Sequence, residues 1–168
     1  MMTTLLIVHG LLSVALLGAI THQALAVVWP PRDVESFTRR FRAVSAPAYT
    51  NAVIALFIIS FILGSVIYPA YRLNVRPYLE DYRLLSALGA FEIKEHFAAI
   101  ALALLPLYGL LWHRAAPRAA GAATIVDDGT ARGWSVARAA VTVLIALAVW
   151  TSFLVGHILN NIRGLFGA

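Results

Sequence analysis

Four long apolar segments dominate the chain and restrict what it can fold into. They lie near residues 4–29, 48–70, 86–112 and 135–160. Each is longer than the roughly 20 residues that a helix needs to cross the hydrocarbon core of a bilayer. A backbone inside lipid must satisfy its own hydrogen bonds, and these lengths suit helices better than barrel strands. The sequence therefore predicts an all-α integral membrane protein, a four-helix up-down bundle that forms a single transmembrane domain over residues 1–168.

The amino-acid composition supports a membrane location and excludes several functions. Hydrophobic residues make up 61% of the chain and charged residues 12%, whereas soluble domains average about 45–50% and about 25%. The chain has no cysteine, so it carries neither disulfides nor thiolate metal sites. Nucleic-acid binding is not expected, because the arginines lie in short loops between apolar spans, where they suit the surface of a lipid bilayer.

The polar segments that separate the four apolar segments, which we call separators, and the N-terminal segment allow further predictions. The second separator, "YRLNVRPYLEDYR", has room for a short interfacial helix, and the third, "RAAPRAAGAATIVDDGTARG", is typical of a flexible loop. The first segment contains Ala24-Leu25-Ala26, which resembles a signal-peptidase site. It lacks a basic n-region and its apolar run is long, so we expect a retained helix rather than a signal peptide.

The distribution of basic residues predicts an orientation. The first and third loops hold eight arginines, against five basic residues on the opposite side of the bilayer. Since cytoplasmic loops are enriched in Lys and Arg, we expect these two loops to be cytoplasmic and both termini to lie outside, in a bacterial inner membrane. The two sets are Arg32, Arg39, Arg40, Arg42, Arg114, Arg118, Arg132 and Arg138, and Arg72, Arg76, Arg83, Lys94 and Arg163.

All five histidines lie in or at the ends of the apolar segments. With a rise of about 1.5 Å per residue, the up-down order places His9, His96 and His157 at one level of the bundle. His22 and His113 are left toward the other face. Ionisable side chains inside a bilayer are costly and usually face the bundle interior, so the layer of three histidines is a candidate ligand site.

Imidazole is a ligand for haem iron and also for zinc, copper and non-haem iron. The face of His96 carries small residues, which suit a flat cofactor but also close helix packing; these are Gly89, Ala99 and Ala103. The first and third helices of an up-down bundle are diagonal partners, so a porphyrin between His9 and His96 is expected to fill the centre. His157 is the alternative ligand.

A second haem between His22 and His113 fits by depth but not by angle. The thirteen residues from His9 to His22 turn a helix by roughly 220° beyond whole turns, so the two rings do not share a face. One haem is therefore expected rather than two. His113 is expected to be an interfacial residue.

Taken together, histidines on separate spans with small residues beside them and arginines at the membrane edge resemble the four-helix transmembrane b-type cytochromes. The resemblance covers the whole chain but matches no family motif. It implies haem b and electron transfer with quinone or with partner membrane or periplasmic redox subunits. Arg72 and Arg76 are then expected near the haem propionates, although surface anchoring explains them equally.

The glutamates that precede His96 leave two other functions open. Glu92 lies one turn from His96, where a carboxylate can orient an imidazole, ligate a non-haem metal together with His9, His96 and His157, or simply lie among lipid headgroups. The second of these predicts a metal-dependent membrane enzyme that uses Glu92 and His96. After the cytochrome and the metal-dependent enzyme, a third candidate function is a non-redox accessory subunit whose histidines pack between helices.

Overall fold

The computed structural model describes residues 2–29, 44, 47–115 and 128–166. Within these residues the chain is helical and contains no strand. The helices are α1 (Met2–Val28), α2 (Pro47–Asn74), α3 (Arg76–Asp81), α4 (Leu85–Ala115) and α5 (Asp128–Phe166). The all-α prediction is confirmed, and α1, α2, α4 and α5 are each long and apolar enough to cross a membrane.

The helices extend beyond the predicted spans: α2 ends at Asn74 rather than at 70, α4 at Ala115 rather than at 112, and α5 at Phe166 rather than at 160. The short helix expected in the second separator is α3; it begins just ahead of Pro77, whose missing N–H costs nothing in a first turn. Arg83, with a φ of 54°, then reverses the chain into α4. The helix α5 begins at Asp128, seven residues before the predicted 135. The flexible loop predicted over residues 114–133 is wrong at 128–133, which belong to α5, whereas residues 30–43 and 116–127 lie outside the described residues.

The packing order of the long helices confirms an up-down bundle. The helix α1 packs against α2 and α5, and α4 packs against the same two helices. Among the described residues, α1 and α4 make no backbone approach to each other. They are therefore the diagonal pair that the up-down order predicts.

The packed core occupies only one end of the bundle. On α1 the buried residues are Leu16, Ile20 and Gln23, and on α4 no residue from 85 to 100 is buried, whereas burial begins at Ala101. We call the packed end, around Gln23, the Gln23 half, and the other end, around His9, the His9 half. The described helices are thus held together mainly in the Gln23 half.

Candidate functional site

A fully buried polar cluster connects three helices in the Gln23 half. Gln23, Thr50 and Tyr108 each have 0% exposure. The Gln23 amide donates to the Val44 carbonyl at 3.1 Å and to the Thr50 hydroxyl at 3.3 Å, and the Tyr108 hydroxyl donates to Gln23 Oε1. The cluster joins α1 to its diagonal partner α4 through side chains, so it fills the bundle centre at this end.

Further buried or partly buried hydrogen bonds connect the neighbouring helices. Trp112 Nε1 donates to Thr142 Oγ1 at 2.9 Å, which links α4 to α5. Tyr49 donates to the Ala19 carbonyl at 2.9 Å, which links α2 to α1. Without water as a competitor, such interhelical bonds contribute about 0.6–2 kcal/mol each in membranes. These bonds therefore give Tyr49, Trp112 and Thr142 structural partners on neighbouring helices.

His9 packs between helices in the other half. Its ring is half-buried and lies against Gly64 of α2, where an added Cβ would stand 3.4 Å from His9 Cε1. The Nδ1 atom of the ring is buried without a partner in the described residues. Gly64 thus allows the imidazole to approach the α2 backbone closely.

Lys94, not His96, continues the interior face of α4. The buried residues Ala101, Leu105, Tyr108 and Trp112 follow Lys94 at helical spacing on one stripe. Lys94 is half-buried, and its charge interacts with His9 across the bundle and with neighbouring Glu95. The ammonium also lies 4.2 Å from the centroid of the Phe91 ring. A histidine and a lysine therefore both lie on the interior side of the His9 half.

His96 lies on the opposite side of α4 and is exposed. Two residues beyond Lys94, it is turned by about 200° from the interior stripe. Its Nδ1 is 2.7 Å from the Glu92 carbonyl oxygen, which can only accept, so Nδ1 carries the proton and Nε2 keeps the lone pair of the neutral ring. The ring therefore presents a ligating nitrogen away from the bundle.

The other predicted histidine ligands lie apart from His96. His22 is half-buried and meets the Tyr49 ring edge-on at 6.2 Å. His113 Nε2 is 2.9 Å from Asn51 Oδ1 of α2, and His157 is exposed, with its ring parallel to that of Phe153. The structure thus distributes the five histidines over separate environments.

The two arginines proposed for haem propionates have partners of their own. The Arg72 guanidinium lies 5.9 Å from the Tyr68 ring centroid. Arg76 forms an exposed ion pair with Glu80, with 2.7 Å between Nε and Oε1. Both lie at the end of α2 and the start of α3, as expected for residues near a membrane surface.

His9 and His96 do not face each other across the bundle in this arrangement. His9 packs against Gly64, Lys94 takes the interior direction of α4, and His96 points outward. Within residues 2–29, 47–114 and 132–161, no group of three His, Asp or Glu side chains is placed to hold a metal ion. The Nε2 atom of His96 faces outward, and the exposed ring of His157 lies apart from it on α5.

Three of the residues that organise the interior were not among the predicted site residues. Gln23 and Tyr108 are isolated polar residues in apolar segments, and isolated polar residues in spans usually face the bundle interior. Lys94 is predicted only as one of the five basic residues on the side opposite the arginine-rich loops. Its spacing of seven and fourteen residues from Ala101 and Tyr108 was the available signal for an inward position.

Comparisons with protein-family models, with curated proteins and with solved structures find no match to this chain.

Proposed function

We propose that this chain is an accessory subunit of a larger membrane complex, and that it binds a partner helix through the outward face of α4. We define this face by the exposed residues Glu92, Ile93, His96, Phe97 and Ile100. The observation that supports the proposal is an ionisable pair, Glu92 and His96, on the outside of a membrane-spanning helix. The partner that fits is a transmembrane helix with a basic or hydroxyl side chain opposite Glu92.

The depth of this pair makes exposure to lipid unfavourable. The span Leu85–Arg114 has 30 residues, about 45 Å at about 1.5 Å per residue, against a hydrocarbon thickness of about 30 Å. If the span is centred, His96 lies about 10 Å and Glu92 about 4 Å inside the hydrocarbon edge. Ionisable residues at such depths are paired or face a polar cavity, so another molecule is needed to cover them.

The uneven core supports the same proposal. On α4 no residue from 85 to 100 is buried by the chain itself. Ile93 and Ile100 are 54% and 56% exposed and flank His96. A partner helix at this position therefore buries apolar surface and pairs the polar side chains in a single contact.

Site-specific photo-crosslinking tests this proposal. A benzophenone amino acid in place of Ile100 is expected to give one discrete protein adduct on irradiation of native membranes. Replacement of both Glu92 and His96 by leucine in the same chain should remove the adduct, because the partner loses its polar contacts.

A second candidate function is haem b-binding electron transfer with quinone or a partner redox subunit. One observation favours it: ligating histidines typically donate their other ring N–H to a carbonyl or carboxylate, as His96 does to Glu92. In this case His96 Nε2 holds the iron on the outward face of α4. A bound haem supplies a one-electron redox centre, and the chain contributes the fixed orientation of the imidazole.

The absorption spectrum of the protein purified from its own membranes tests the second candidate. Reduced-minus-oxidised bands of a b-type haem are expected, and His96→Ala should abolish haem retention. His113→Ala, in the other half of the bundle, should retain it. A wild-type protein without haem bands eliminates this candidate and leaves the accessory function standing.

We also propose that both termini face the outside of a bacterial inner membrane, on the basis of the arginine distribution. Since the chain has no cysteine, a single Tyr82→Cys substitution in the exposed α3–α4 turn serves as a topology probe. An impermeant maleimide should label it in intact cells. Labelling only after permeabilisation means that the orientation is reversed.

A further inference from the structure

Two arginines in the Gln23 half lie against tryptophan rings of the neighbouring helix. The Arg138 guanidinium of α5 lies 5.1 Å from the centroid of the Trp112 ring of α4. In the reverse direction, the Arg114 guanidinium of α4 lies 5.0 Å from the centroid of the Trp134 ring of α5. The hydrogen bond from Trp112 to Thr142 fixes the first of these rings. The two contacts hold both guanidinium groups where α4 meets α5, and we call these two arginines and two tryptophans the α4–α5 seam.

Arg138 lacks an acceptor for part of its guanidinium. A guanidinium that stacks on an aromatic ring keeps its N–H groups in its own plane, where they still need acceptors. The Nε atom of Arg138 is buried and has no hydrogen-bond partner within the described residues. A buried donor on a charged group is costly to leave unpaired. The seam therefore needs an acceptor, and an anionic one suits it best.

The carboxylates whose side chains the structure describes lie at the opposite end of the bundle, on α3 and in the first turns of α4. They are Glu80, Asp81, Glu92 and Glu95. In the part of the chain that the structure describes, the ion pair of a carboxylate with an arginine also lies at that end, between Glu80 and Arg76. The described side chains therefore leave the positive charge of the seam without a counter-charge.

The two guanidinium groups lie at the depth of lipid headgroups. The span Arg132–Asn161 has 30 residues, about 45 Å of helix against a hydrocarbon thickness of about 30 Å. If the span is centred, its first roughly 7.5 Å lies among the headgroups, and Arg138, about 9 Å from its start, lies close to the hydrocarbon edge. Arg114 is the last residue of the span Leu85–Arg114 and lies in the headgroup layer. The seam thus faces the layer that holds the lipid phosphates.

We propose that the α4–α5 seam binds the headgroup of an anionic phospholipid, whose phosphate accepts hydrogen bonds from Arg114 and Arg138. The planar guanidinium matches the oxygens of a phosphate in a two-point contact. Basic sites between membrane helices bind anionic headgroups in this way. A zwitterionic headgroup carries its own cation beside the phosphate, so a headgroup with a net negative charge fits two unpaired arginines better.

Native mass spectrometry of the purified full-length chain, titrated with dioleoylphosphatidylglycerol or dioleoylphosphatidylcholine, tests the proposal. The two lipids share their tails and their phosphate and differ in the net charge of the headgroup. We expect the first phosphatidylglycerol to bind with a Kd at least about fivefold below that of phosphatidylcholine. Arg138→Gln and Arg114→Gln should each raise the phosphatidylglycerol Kd about tenfold, because each removes a hydrogen bond between charged groups.

Arg132→Gln is the matched control, because it removes the same charge from an exposed position two residues before Trp134. Its Kd for phosphatidylglycerol should stay within about twofold of the wild type, since one distant surface charge contributes little. Circular dichroism verifies the fold of every variant, and the exposed Arg114→Gln decides the result if Arg138→Gln misfolds. Equal Kd values for the two lipids, an equal loss of affinity in Arg132→Gln, or displacement of the lipid by excess inorganic phosphate each overturn the proposal.

Discussion

Replacing Tyr108 with alanine is expected to lower the free energy of unfolding by about 3–5 kcal/mol, the range for deleting a buried aromatic ring. Tyr108 is fully buried at the centre of the Gln23 half. The substitution leaves a cavity there and removes the donor to Gln23 Oε1. Titration of the purified protein with sodium dodecyl sulfate, followed by circular dichroism, measures the change.

Two matched variants separate the contribution of the buried Tyr108 ring from that of its hydroxyl group and from the loss of a tyrosine in general. Tyr108→Phe keeps the ring and removes only the hydroxyl, so a loss of about 0.6–2 kcal/mol is expected. Tyr82→Ala removes a tyrosine that is 62% exposed and should change the unfolding free energy by less than about 0.5 kcal/mol. A Tyr108→Ala loss no larger than that of Tyr82→Ala means that the buried cluster does not stabilise the bundle.

Gly64→Leu is expected to cost about 1–3 kcal/mol, the typical penalty for overpacking a close contact. The new side chain must occupy the space of the His9 ring, since a Cβ alone at Gly64 stands 3.4 Å from His9 Cε1. The ring is then displaced from the α2 backbone, and α1 separates from α2 in the His9 half. The same detergent titration provides the measurement.

Gly18→Leu on α1 is the control for Gly64→Leu, because the Gly18 Cβ position has nothing within 4 Å. It adds the same side chain to the same apolar environment without a clash. Equal stability of the two variants contradicts a structural role for the close contact between His9 and Gly64.

The number and order of the helices follow from the sequence because apolar length directly determines which segments can cross a bilayer. The diagonal relation of α1 and α4 follows from up-down connectivity alone. The short helix α3 was expected in the second separator. These features depend on composition over many residues, so an error at one position does not change them.

The inward face of each helix was harder to predict. In a soluble helix an apolar stripe marks the buried side, but a membrane helix is apolar toward lipid as well. The small residues near His96 favoured an inward histidine, whereas the structure turns Lys94 inward and His96 outward. A shift of two residues rotates the assignment by about 200°, which is enough to separate His9 from its expected partner.

We propose above that another protein covers the outward face of α4. Crosslinking at two matched positions tests this most directly. Ile100 lies on that face and Ile62 on α2, with exposures of 56% and 54%. The benzophenone at position 100 is expected to capture one protein of fixed mass that depends on Glu92 and His96, whereas position 62 yields only lipid adducts. Lipid adducts alone at both positions, or a protein adduct that survives leucine at residues 92 and 96, would contradict the claim.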